Sequence, residues 1–135
     1  MDKLLVDTNI IIDLLAKRKD FYHPASRLFS LADHHKVKLA ISSLTFANTY
    51  YILSRELTPA KTKDILRKFK LLVKVLPTTD KIIDLSLNSD FKDFEDAIQY
   101  YTAIENKLDI IVTRNLKDFR LAKIPLMTAQ DYLSI

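Results

Sequence analysis

The 135 residues contain no cysteine, no glycine and no tryptophan, and only four prolines. Without cysteine there is no disulfide, no thiolate zinc site and no cysteine nucleophile. Without glycine there is neither a Walker A loop nor a dinucleotide fingerprint, because both need glycine for tight turns and close phosphate approach. Left-handed turn positions must then fall to other residues. Asp33, Asn88, Asn106 and Asn115 are the ones expected to take them, since Asn and Asp tolerate that conformation best. No apolar run approaches the roughly 18 residues of a membrane span, and no charged-then-apolar leader opens the chain. Both absences predict a cytoplasmic protein. Neither charge sign dominates: 21 Lys and Arg against 17 Asp and Glu give +4. That excess suits a polyanionic partner but falls far short of a dedicated nucleic-acid coat.

What is present is ordinary globular material, 48% hydrophobic and 28% charged. Its length fits one domain over residues 1–135 with a sizeable core. Leu4-Leu5-Val6 reads as a short buried strand that Asp7 ends, and Thr8-Asn9 leads into a helix over Ile10 to Leu15. Helical spacing recurs over Tyr22 to His35, and Val37 to Ile41 forms a second strand closed by Ser42-Ser43. Helices follow from Leu44 to Glu56 and after Thr58-Pro59, where cap and proline stand in the favoured order. Leu71 to Leu76 is helix end and third strand, Thr79 caps a helix to Leu87, and a strong helix runs from Phe94 to Asn106. Asp109 to Val112 is a fourth strand, a fifth lies near Ile124 to Met127, and Ala129 to Leu133 is a last helical turn. Strands separated by helices predict an α/β fold, a parallel sheet sandwiched by helices.

In open α/β sheets ligands bind outside the carboxyl ends of the strands. Asp7 and Asp118 each follow a strand there, and Asp93 and Asp96 open the helix that feeds the fourth strand. Every one of these acids can also be read as a turn or helix cap. Their convergence on one edge is what favours a site. Carboxylates crowded without matching cations repel unless a metal sits between them. Oxygen donors without cysteine or suitably spaced histidine suit Mg²⁺ or Mn²⁺, which can activate water against a phosphodiester.

Val6-Asp7-Thr8-Asn9, Asp96-Ala97-Ile98 with Thr102-Ala103, and Val112-Thr113-Arg114-Asn115 with Asp118-Phe119 follow one another along nearly the whole chain. In that succession the sequence resembles the PIN-domain nucleases, which include the VapC-like toxins of toxin–antitoxin pairs. The resemblance implies a Mg²⁺- or Mn²⁺-dependent ribonuclease that leaves a 5′-phosphate and a 3′-hydroxyl. Asp7 and Asp96 would hold the metal with Asp118, and Asp93 would complete the acidic site. Thr8, Asn9 and Asn115 would support the ligands or the scissile phosphate. RNA as substrate and a cognate antitoxin over the site are the partners implied, with homodimerisation open. One position departs from the family: where a glutamate is usual, this chain has Asn48, whose neutral amide still offers a carbonyl oxygen. A second reading follows from it, a PIN-fold nucleic-acid-binding module impaired in catalysis. The basic stretch from Lys61 to Lys74 and the pairs Tyr50-Tyr51 and Tyr100-Tyr101 are secondary candidates for RNA contact.

Overall fold

Apolar side chains in strand β1 (Lys3–Val6) serve two faces: Leu4 and Val6 enter one core cluster and Leu5 the other. The computed structural model describes residues 1–119 and 122–135, without the side chains of residues 118 and 119. β1 is the middle of a parallel five-stranded sheet with β2 (Lys38–Ser42), β3 (Val73–Leu76), β4 (Ile110–Val112) and β5 (Leu126–Met127), in the order β3-β2-β1-β4-β5. Burial on both faces explains why β1 and β4 read as unbroken apolar runs rather than as alternation.

Helices α1 (Thr8–Leu15), α2 (Tyr22–Asp33), α3 (Ser43–Leu53), α4 (Pro59–Phe69) and α7 (Ala129–Leu133) contribute to the larger core. It is built around Leu4, Val6, Ile10, Ile11, Leu28, Phe29 and Ile41. Helix α6 (Phe94–Glu105) covers the other face through Tyr100 and Ala103 against Leu5 and Ile111, with α5 (Asp80–Leu87) beside it. Ser42, Thr58 and Thr79 each accept a bond from the first turn of the helix they precede, as the sequence leads one to expect, and Thr128 does the same for α7. At the other end, Tyr132 ties α7 to the amino terminus through a 2.7 Å bond to Asp2. Burial, together with that carboxylate, pushes its phenol up to about 12. Among the described residues no helix is long and apolar enough to cross a membrane.

The expectation about left-handed positions was wrong. Positive φ falls on Lys17 (50°), Asp20 (72°), His35 (57°) and Lys107 (54°), and on none of Asp33, Asn88, Asn106 or Asn115. Lys17, His35 and Lys107 each stand one residue past a helix C-cap. There they close the paired bonds of a Schellman ending, as in His35 N to Ala32 O and Lys36 N to Leu31 O. Glycine usually takes that place, and in its absence lysine and histidine accept about 1–2 kcal/mol of steric cost. Asn88 and Asn106 stay at the C-cap with negative φ and use their amides instead, donating to Asp84 O and Thr102 O.

Candidate active site

Strand order reverses direction at β1: β2 and β3 extend to one side, β4 and β5 to the other. The crevice at such a switch point, outside the carboxyl ends of β1 and β4, is where open α/β sheets bind ligands. Asp7 follows β1 there and is joined to β4 by its own N–H donating to Val112 O at 2.9 Å. The residue after β4 is Thr113, fully buried, whose hydroxyl donates to Asp7 Oδ2 at 2.7 Å.

Asp7 is only 8% exposed and is gripped on both oxygens. Thr8 N (2.7 Å) and Gln99 Nε2 (3.1 Å) donate to Oδ1, while Thr113 Oγ1 (2.7 Å) and Asn9 Nδ2 (3.3 Å) donate to Oδ2. A carboxylate nearly out of solvent with donors on both oxygens is fixed in orientation, because any rotation would break a buried bond. The bond from Thr8 N also makes Asp7 the cap of α1, so the two readings of this residue are both realised.

Asp93 and Asp96 sit at the start of α6. Asp93 is its N-cap, with Oδ1 accepting from Asp96 N at 3.1 Å, and Asp96 lies in the first turn, half-buried. Here too the cap expected from the sequence is present. α6 runs into β4, so its N-terminus returns to the edge where Asp7 lies, and all three acids line one cleft of about 540 Å³. Thr8, Asn9, Asn48 and Asn115 line the same cleft, so the polar supports predicted from sequence are gathered with the acids. Asp118 falls in a 3-10 turn over Leu116–Phe119, and its side chain lies outside the described residues.

Several contributors were not legible. Gln99, one turn after Asp96 and 4% exposed, bridges Asp7 to Thr45 Oγ1 (2.7 Å), while its Oε1 is buried without a hydrogen-bond partner among the described residues. Glu95 adds a further carboxylate to the cleft, and Arg18, Arg55 and Arg114 add cations. Tyr51 lines it as an exposed ring while Tyr50 is half-buried beside the core, so of this pair only Tyr51 is placed for contact with a ligand. The basic helix α4 contributes no residue to the cleft, and its Arg67 pairs with Asp64 at 2.7 Å.

By chemistry the donors fit a hard divalent cation: carboxylate oxygens of Asp7, Asp93 and Asp96 and the amide oxygen of Asn48, with no sulfur or imidazole among the cleft residues. Among the described residues, no three acidic or histidine side chains are drawn together into a ready-made ligand group.

The comparisons with known proteins agree with this architecture. A family model described as PIN domain matches residues 3–117. The chain is 25% identical to Ribonuclease VapC1 of Aquifex aeolicus (strain VF5), over 97% of this chain and 93% of that one. A toxin–antitoxin complex from Klebsiella pneumoniae contains a chain that is 28% identical, with a TM-score of 0.68 and coverage of 93% of this chain and 97% of that one. VapBC2 from Rickettsia felis bound to a promoter DNA fragment shares the fold, with a TM-score of 0.72 at 21% identity, over 93% of this chain and 98% of that one.

Proposed function

Because the chain belongs to the PIN-domain family, we propose that it is a Mg²⁺- or Mn²⁺-dependent endoribonuclease, the toxin of a toxin–antitoxin pair. One observation carries the reading furthest: a nearly buried carboxylate, Asp7, locked by donors on both oxygens at the switch point, in a cleft shared with Asp93 and Asp96. A group held this rigidly is suited to ligation, since orientation is set before anything binds. Asp7 and Asp96 would hold the metal with Asp118, and Asn48 would offer its carbonyl. When bound, such an ion neutralises phosphate charge and lowers the pKa of water. Asp93 keeps the start of α6 in register and adds negative charge to the rim. Thr8 and Asn9 buttress Asp7 from its own helix, and Thr113 does so from β4. Ribonuclease VapC1 supports the ribonuclease part of the reading and the Klebsiella toxin–antitoxin complex the toxin part, in which an antitoxin would cover the cleft and keep RNA out.

The direct test is RNA cleavage by purified protein with Mg²⁺ or Mn²⁺ and with excess EDTA. Cleavage that stops on chelation and returns with added metal is expected. Undiminished cleavage in EDTA would remove the metal from the mechanism.

The rival, a nucleic-acid-binding module impaired in catalysis, is favoured by the neutral Asn48 in the cleft. Asn48→Glu separates the two, because position 48 is half-buried and faces the cleft that Asp7 lines. An active enzyme should bind metal more tightly after the change, by roughly tenfold for one added negative ligand, with little gain in rate. A decayed enzyme should instead rise from background to measurable cleavage. Calorimetric titration with Mn²⁺ beside a cleavage assay reads both, and no change in either would place residue 48 outside the site.

A further inference from the structure

Arg114 is held more firmly than a surface arginine needs to be. Its Nε and Nη2 donate to the two oxygens of Asp13, at 2.8 and 3.1 Å, and its guanidinium carbon lies 3.9 Å from the Phe21 ring centroid. Its own N–H donates to Asn9 Oδ1, the residue that also contacts Asp7. The two partners differ in exposure: the Asp13 side chain is 2% exposed and that of Arg114 is 30%. Among the described residues no bond engages Nη1. Arg114 also lines the cleft that Asp7 and Asp96 line.

If the pair served stability alone, it would be a poor device. A buried carboxylate costs several kcal/mol to desolvate, and apolar residues of similar volume often do as well or better. Asp13 interrupts the apolar run of α1, so its burial asks for another reason. A two-point grip on Nε and Nη2 with a ring against the guanidinium fixes the plane of the fork. One edge of it is committed to Asp13 while Nη1 remains for an anion. Arginine is the residue whose planar donors suit phosphate in this way.

We propose that Arg114, oriented by Asp13 and Phe21, is a phosphate clamp for the nucleic-acid backbone, binding a phosphodiester next to the one at the acids. This rests on the ribonuclease reading above and adds a substrate-binding residue to it. Asp13 and Phe21 are positioning residues, acting through Arg114 rather than touching substrate. Contact with a phosphate that does not react lowers KM and leaves kcat nearly alone.

The test is binding of a fluorescent single-stranded oligoribonucleotide, in chelator so that no turnover occurs, followed by anisotropy between about 50 and 200 mM salt. Each phosphate contact on a single strand contributes about 0.7 to the slope of log affinity against log salt. Arg114→Gln should weaken binding and reduce the slope by about that amount. Arg114→Lys keeps the cation and loses the fork, and Asp13→Asn keeps the Arg114 cation but leaves its fork held at one oxygen instead of two. They should keep the slope, weaken binding, and raise KM several-fold with kcat little changed. A merely structural pair would lower the melting temperature and leave the slope alone. Thermal melts identify any variant that fails to fold, and Arg114→Lys then carries the test through its KM against kcat. Folded Arg114→Gln with wild-type affinity and slope would overturn the clamp while leaving the nuclease reading intact. Wild-type protein that neither binds nor cleaves RNA would overturn both.

Discussion

Asp7→Asn is expected to abolish RNA cleavage and also to weaken the fold, whereas Asp96→Asn should abolish cleavage alone. Counting charges would predict the reverse for Asp7, because removing one of several crowded acids relieves repulsion. The hydrogen bonds change the sign. Asparagine can keep one carbonyl oxygen for Thr8 N and Gln99 Nε2, but its NH₂ then faces the donors of Thr113 and Asn9. At 8% exposure water cannot repair the mismatch, and leaving buried donors unmatched costs about 1–3 kcal/mol. Asp96 is half-buried in the first turn of α6, where losing the charge forfeits about 0.3–1 kcal/mol of helix-dipole interaction. Cleavage by either variant should fall by roughly a thousandfold, as several kcal/mol of metal-derived stabilisation is lost at about 1.4 kcal/mol per decade. Thermal melts in EDTA together with a cleavage assay give both readouts. If Asp7→Asn melts low but still cleaves at the wild-type rate, Asp7 is a helix cap and nothing more.

The contrast between those two acids shows what could be read in the chain and what could not. Local chemistry was legible. Leu4-Leu5-Val6 followed by Asp7 marks a strand ending at the carboxyl edge of the sheet, and Thr58-Pro59, Thr79 and Ser42 mark helix starts, because caps act within three residues of themselves. The parallel sheet followed from alternation of strand and helix, and it is the sheet that brings Asp7, Asp93 and Asp96 to one cleft. Contacts made across the fold were not legible. Gln99 reaches Asp7 over 92 positions and Arg114 reaches Asp13 over 101. In sequence Gln99 looks like one polar residue on an amphipathic helix, and Asp13 like one acid in an apolar one. Helix endings failed for a different reason. The αL position lies one residue past the C-cap, where Lys17, His35 and Lys107 stand, so intrinsic preference pointed at the wrong neighbour.

Gln99 is where the fold and the site meet most directly, and two substitutions should separate its roles. The amide nitrogen bonds Asp7 and Thr45, while Oε1 is buried without a partner among the described residues. An orphaned buried carbonyl costs about 1–3 kcal/mol, so Gln99 is tolerated for what its nitrogen does. Gln99→Leu removes the orphan and the two donated bonds together. Asp7 keeps Thr8, Asn9 and Thr113, and Thr45 keeps Ser42 Oγ at 3.1 Å, so no acceptor is stranded. Stability should stay within about 1 kcal/mol of wild type, since each remaining acceptor keeps another donor and the carbonyl without a partner leaves with the side chain. Cleavage should nonetheless fall about 10- to 100-fold, the usual effect of losing a group that orients a metal ligand. Gln99→Glu does the opposite to the fold. It sets a second carboxylate about 3 Å from that of Asp7, out of water, where two like charges cannot both ionise. Forcing one of them to hold a proton at neutral pH costs about 1.4 kcal/mol per pKa unit, and a raise of about three units is a loss large enough to show in a denaturant melt. Should Gln99→Leu cleave at the wild-type rate, the bond to Asp7 is incidental. Should Gln99→Glu melt like wild type, the amide is not packed against Asp7 in solution, and the locked carboxylate loses one of its supports.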